Sequence, residues 1–123
     1  KLDAWWGHLV GKVRSVVYDE IQELRIRTSK KYQAAEFLNS KLAFRLGLSA
    51  TPIHNYGDEA WNVINLLAPD ALGTHQEFIR EWCVAGPGGK FVVQNPDALG
   101  HHLRDQKLMV RRTRKEVGRV LPP

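Results

Sequence analysis

The chain has one cysteine in 123 residues. A lone thiol excludes an internal disulfide and fits a reducing, intracellular setting, cytoplasmic in a bacterium or phage and nuclear in a eukaryote. No apolar run approaches the length of a membrane span, and no signal-peptide pattern opens the chain. The five histidines and Cys83 supply no two pairs at zinc-ligand spacing. His101 and His102, as neighbours on a helix, would point different ways, so no metal site of that kind is expected. A phosphate-cradling loop is missing as well. It requires Gly, four residues, then Gly-Lys-Ser/Thr, whereas three residues separate Gly7 from Gly11, and Val13 follows Lys12. Gly11-Lys12 therefore reads as a turn. Gly47-Leu48-Ser49-Ala50-Thr51 comes near a hydrolase nucleophile elbow, but the fifth position is Thr and Pro52 cannot donate the backbone N–H needed there. Repeats and low-complexity tracts are also absent.

What remains is ordinary in bulk: 43% hydrophobic and 25% charged residues, enough for one domain with a buried core. The net charge of +5 is uneven. Arg104, Lys107, Arg111, Arg112, Arg114, Lys115 and Arg119 stand against only Asp105 and Glu116 between residues 104 and 119, so the rest of the sequence is neutral on balance. Such a block either faces phosphates or forms a solvated surface.

Leu2 to Val10 has the spacing of an amphipathic helix with Trp5, Trp6 and Leu9 on its core side. Val16-Val17-Tyr18 reads as a buried strand, and Ala43 to Leu48 as a second. Between them, Ser29 to Lys41 is a helix with Tyr32, Ala35, Leu38 and Leu42 as its core stripe, suited to a crossover between parallel strands. Leu24 to Thr28 is a loop. Asp58 to Leu67 is a helix stopped by Pro69. Thr74 and Glu77 make a capping box ahead of Phe78, Ile79 and Trp82, and Cys83 is expected as a buried helix residue. Gly86-Pro87-Gly88-Gly89 is a flexible loop. Asn95-Pro96 caps a helix through His102. Leu108 to Arg112 is expected as a strand, with Arg111 and Arg112 on opposite faces, and Thr113 and Glu116 as a second capping box. The fold class is α/β.

The chemistry concentrates between Ser15 and Asn55. Asp19 and Glu20 sit at the C-terminal end of one strand, and Ser49 and Thr51 at the end of the other, on the rim where open α/β sheets bind ligands. Asp19 is suited to hold Mg²⁺ through its waters, since that ion uses few carboxylates. Glu20 is suited to position or deprotonate an attacking water in phosphoryl transfer. The plainer reading, solvated acids at an ordinary strand end, stays open on these residues alone.

Asp19-Glu20-Ile21-Gln22, followed by Leu48-Ser49-Ala50-Thr51-Pro52-Ile53-His54-Asn55, resembles motifs two and three of the superfamily-two helicases, and most closely the Swi/Snf-type ATPases. Glu59-Ala60-Trp61-Asn62-Val63-Ile64-Asn65-Leu66-Leu67-Ala68-Pro69 looks like that family's Glu-Leu-Trp-Ser-Leu-Leu-Asn-Phe-Leu-x-Pro. Leu108 to Val117 and Leu121-Pro122-Pro123 look like its Leu-Arg-Arg-Thr-Lys-x-(Asp/Glu)-Val…Leu-Pro-Pro. The resemblance implies a partial RecA-like lobe, parallel strands with crossover helices, in a DNA-dependent translocase that uses ATP and Mg²⁺. It implies Asp19 as the Mg²⁺ ligand, Glu20 as catalytic base, and Gln22 as the link to Ser49, Ala50 and Thr51, which couple hydrolysis to movement. Gln22 departs from the usual His, and His54 stands where Gln is common. Arg111, Arg112, Arg114 and Lys115 are the candidates for nucleic-acid contact. The resemblance further implies a phosphate-loop half-lobe ahead of Lys1 and a second lobe after Pro123, so residues 1–123 are expected to be the C-terminal half of the first lobe and inactive alone. The alternative is a non-catalytic nucleic-acid or protein-binding module on the same scaffold.

Overall fold

The computed structural model of the protein describes residues 8–50, 56–113 and 115–118. Strands β1 (Ser15–Tyr18) and β2 (Phe44–Gly47) pair in parallel, with Ser15 opposite Phe44 and Tyr18 opposite Gly47. Parallel neighbours need a crossover, and helix α1 (Lys30–Asn39) supplies it. Ser29 starts α1 by accepting the Tyr32 N–H on its hydroxyl at 3.2 Å. Tyr32, Ala35, Leu38 and Leu42, the expected stripe, are all buried. The amphipathic helix expected over Leu2 to Val10 lies almost wholly outside the described residues.

Helix α2 (Gly57–Leu67) joins two clusters of buried side chains. Val63 and Leu66 meet Tyr18, Ile21, Leu24, Tyr32 and Ala35 under the parallel strands. Ala60 and Trp61 meet Phe78, Val93, Leu99 and Leu103 on the other side. Helix α3 (His75–Trp82) opens with the expected capping box: the Thr74 hydroxyl takes the Glu77 N–H at 3.2 Å, and the Glu77 carboxylate takes the Thr74 N–H at 3.1 Å. Helix α4 (Pro96–Asp105) begins with the Asn95 side chain accepting from the Ala98 N–H at 3.1 Å. No helix among the described residues is long and apolar enough to cross a membrane.

The structure departs from the sequence expectations in four places. First, Cys83 ends α3 in extended conformation and starts strand β3 (Cys83–Ala85), which pairs antiparallel with β4 (Phe91–Val93). It is half-buried rather than buried, and burial, with a smaller push from Asp58, raises its thiol pKa. Second, the glycine run is a loop, as expected, but one that joins two strands the sequence did not suggest. Gly86 N–H donates to Lys90 C=O at 2.7 Å, and Gly88 and Gly89 adopt φ of 69° and 73°, which suit glycine.

Third, Leu108 to Arg112 is not a strand. Lys107 takes a left-handed conformation (φ 59°), its N–H donates to Arg104 C=O at 3.0 Å, and Leu108 N–H donates to Leu103 C=O at 2.8 Å. This is a Schellman termination of α4 with lysine where glycine is usual, and it consumes the backbone donor at which the strand would begin. Fourth, β1 is buried on one face only. Val16 and Tyr18 pack inward, while Val17, Phe44 and Leu46 share the other face and are exposed at 58%, 71% and 55%. Tyr32 and Ala35 of α1 and Val63 and Leu66 of α2 pack on the Tyr18 side.

Tyr18 also carries an alkaline limit on stability. Its hydroxyl donates to Asn39 Oδ1 at 2.7 Å, and burial pushes the phenol up to about 12 against a smaller opposing pull from Arg45. The native protein therefore keeps this proton where the unfolded one, with a phenol near its ordinary value of about 10, has lost it. The resulting stability is whole below about pH 10 and disappears as pH rises through about 12. Melting temperature should fall over that window, and Tyr18→Phe should flatten the fall. An identical alkaline profile in the variant would count against this account.

Candidate functional site

Site geometry follows from how β1 ends. In an uninterrupted parallel ladder, Leu48 would donate to Tyr18 and accept from Glu20. Leu48 N–H does donate to Tyr18 C=O, at 2.8 Å, but Leu48 C=O accepts from Ile21 N–H, at 2.9 Å, one residue late. The extra residue is a bulge, and bulges re-aim side chains at strand ends. Glu20 takes a left-handed conformation, φ 54° and ψ 53°, to make it. For a residue with a Cβ, that conformation costs roughly 1–2 kcal/mol. Ile21 and Leu24 hold the turn from below, buried in a short 3-10 helix (Ile21–Leu24). Asp19 and Glu20 are thereby pushed out of the ladder, and both side chains are exposed.

Side-chain bonds then tie the turn to both neighbours. Gln22 donates its amide N–H to Glu20 Oε2, and Ser49 Oγ donates to Gln22 Oε1 at 2.6 Å. Arg25 Nη1 returns to Gln22 C=O at 3.1 Å, Arg25 Nε lies 3.8 Å from the Glu59 carboxylate, and Asn62 Nδ2 on α2 donates to Arg25 C=O at 3.0 Å. Asp19 makes no hydrogen bond or ion pair with another described residue. Its solvent-facing carboxylate suits a cation that keeps most of its own water and takes one protein ligand. No group of three or more His, Cys, Asp or Glu side chains gathers at metal-binding distance among the described residues.

Four of the residues singled out in the sequence, Asp19, Glu20, Gln22 and Ser49, thus meet on one rim. Ala50 follows, exposed, and Thr51 lies outside the described residues. Ser49, Leu46, Leu48, Leu67, Met109 and Val110 help to line an adjoining cavity of about 650 Å³. In the basic block, Arg111 and Arg112 are both exposed, with Arg112 Nη1 on Arg111 C=O at 3.1 Å, and neither forms a salt bridge among the described residues. The alternation expected of a strand is absent because the strand is. Lys115 is exposed, and Arg114 lies outside the described residues. Thr113 and Glu116 do exchange bonds: the Thr113 N–H reaches the carboxylate at 2.5 Å, and the Glu116 N–H reaches the hydroxyl at 3.3 Å. The backbone N–H of Thr113, first among several donors and charges, holds the Glu116 carboxyl below its ordinary range.

Sequence reasoning missed Asn39, Asn62 and Arg25. Asn39 is buried, takes the Tyr18 hydroxyl on Oδ1, and donates from Nδ2 to Leu66 C=O at 2.9 Å. The available signal was position: Asn39 stands seven residues after Tyr32, on the same helix face.

The family model of the SNF2-related domain matches residues 8–123. Among curated proteins, the chain is 32% identical over 106 residues to the uncharacterized ATP-dependent helicase YqhH of Bacillus subtilis, a match covering 84% of this chain and 17% of that protein. It is 33% identical over 116 residues to Switch 2 of Arabidopsis thaliana, covering 86% of this chain and 13% of the relative. It is 28% identical over 115 residues to the chromatin-remodeling ATPase INO80 of Cryptococcus neoformans, covering 89% and 6%. The match therefore spans under a fifth of each relative's length. No solved structure matches it.

Proposed function

Because the chain belongs to the SNF2-related domain family, we propose that its β1–β2 rim is the metal- and water-handling half of an ATPase site in a nucleic-acid-dependent translocase. The observation that supports this most is the bulge, which puts two adjacent carboxylates into solvent at the end of a strand and leaves them unlike. Glu20 is held by Gln22, while Asp19 has no partner among the described residues. Asp19 would hold Mg²⁺, which when bound neutralises charge on the nucleotide phosphates. Glu20 would orient the attacking water in line with the γ-phosphate and take its proton as the new P–O bond forms and the bond from the γ-phosphorus to the bridging oxygen breaks, with ADP as the leaving group. Gln22 and Ser49, with Ala50 and Thr51 beyond, would pass the state of that turn along the sequence. Catalysis by this route depends mainly on positioning and electrostatics.

Arg111, Arg112, Arg114 and Lys115 would serve as contacts to double-stranded DNA. What supports this is that Arg111, Arg112 and Lys115 are exposed, and that Arg111 and Arg112 form no salt bridge among the described residues. The test uses the protein at its natural length. ATP hydrolysis should rise on adding duplex DNA, and DNA affinity should fall with salt. Arg111→Ala and Lys115→Ala should each lower the slope of log affinity against log salt by about 0.9. An unchanged slope would remove these residues from the DNA contact, and ATP-independent binding without any hydrolysis would replace the ATPase with a binding module.

A further inference from the structure

We infer that Gln22 is a positioning residue for Glu20, and that Ser49 supports it by donating to the oxygen of the same amide. This rests on the reading of Glu20 as the group that acts on water.

A glutamine amide has one accepting end and one donating end, while a serine hydroxyl can do either. An ionised carboxylate only accepts. Glu20 therefore dictates the direction of the whole series of bonds: only the NH₂ of Gln22 can face it, so the Gln22 oxygen must face Ser49, and Ser49 must donate. The Ser49 Oγ to Gln22 Oε1 distance of 2.6 Å suits such a bond.

Backbone geometry shows why Glu20 needs the contact. Its backbone is pinned by Ile21 N–H on Leu48 C=O and by its own C=O accepting from Glu23 N–H at 3.0 Å. The carboxylate, three rotatable bonds further out, is exposed, and Gln22 is the only described residue that holds it. An exposed, unrestrained glutamate samples several rotamers, and a base acting on one water needs one of them. Gln22 supplies that selection with a charge-assisted bond from an amide that does not itself titrate near neutrality. Gln22 is itself half-buried, and its backbone carbonyl is held by Arg25, so the selecting group is fixed from two sides.

The consequence is that Gln22 reaches the chemical step through Glu20. Single-turnover and steady-state ATP hydrolysis by the natural-length protein would test this with Gln22→Leu and Gln22→Glu, the latter keeping the shape but replacing a donor with a like charge. Both should lower kcat by about tenfold or more, the cost of one hydrogen bond to a charged group. KM for ATP should stay within about twofold, because the bond is not made to nucleotide. Ser49→Ala should cost less than Gln22→Leu, and less in the Gln22→Leu background than alone. In a Glu20→Gln background, Gln22→Leu should change residual turnover by less than about twofold. Full-rate hydrolysis by both Gln22 variants, or a Gln22→Leu loss that persists undiminished in the Glu20→Gln background, would overturn the inference. A lowered melting temperature with KM and kcat altered together would mark Gln22 as merely structural and overturn it too. Wild-type turnover by Glu20→Gln would instead strike the functional reading on which the inference rests.

Discussion

Glu20→Gln should bind ATP as the wild type does and hydrolyse it at least about a hundred times more slowly. A positioned general base contributes about 10²–10⁴ to rate, and its work falls in the transition state, where ground-state affinity does not see it. The substitution keeps side-chain length, and the new amide oxygen can still accept from Gln22, so the contact that orients the group can survive while the proton acceptor is lost. The left-handed backbone at Glu20 is fixed by backbone bonds to Leu48 and Glu23, which the change leaves in place. The deficit should therefore be chemical. Equilibrium nucleotide binding set beside single-turnover hydrolysis, in the natural-length protein, separates the two quantities. A rate within tenfold of wild type, or a matching loss of affinity, would rule out the role given to Glu20.

Asn39→Ala should lower stability by about 2–4 kcal/mol, much more than its size suggests. The side chain is buried and does two jobs. Its Oδ1 takes the Tyr18 hydroxyl at 2.7 Å, and its Nδ2 satisfies Leu66 C=O at 2.9 Å. Leu66 lies in the last turn of α2, where carbonyls have no intrahelical partner, so Asn39 closes that helix from another element. Removing the side chain leaves the Leu66 carbonyl unpaired and the Tyr18 hydroxyl with only a 3.5 Å approach to Ala35 C=O. Tyr18 immediately precedes Asp19, which makes this bond a support beneath the proposed catalytic turn. Urea unfolding measures the cost. A loss below about 1 kcal/mol, or one fully additive with that of Tyr18→Phe, would show that the three-element link carries little energy.

What could be seen in the sequence was whatever is decided locally. The α1 stripe, the Thr74–Glu77 box and the Asn95-Pro96 start each depend on residues within a turn or two of one another. The β3–β4 hairpin was not visible because strands of three residues, Cys83–Ala85 and Phe91–Val93, are too short to display an alternation. The strand expected at Leu108 was lost to a helix termination whose usual glycine marker is a lysine, Lys107. At the candidate site, the residue types were legible, and their likeness to two family motifs brought Asp19, Glu20, Gln22 and Ser49 forward together. Their geometry was not legible. The bulge exists because Leu48 bonds to Tyr18 and Ile21 across the sheet, and nothing in Asp19-Glu20-Ile21-Gln22 by itself announces a left-handed glutamate.

The measurement that bears most directly on the central claim is a Mg²⁺ titration of ATP binding to the natural-length protein and to Asp19→Asn. Asp19 is the carboxylate that no described neighbour occupies, and an exposed acid with no metal to hold could be neutralised at little cost. If the rim is a metal–nucleotide site, the variant should need at least about tenfold more Mg²⁺ for half-maximal nucleotide binding, since one of very few protein ligands to that ion has been weakened. Superimposable Mg²⁺ titrations of the two proteins would mean that Asp19 holds no metal, and the β1–β2 rim would then be an ordinary strand end.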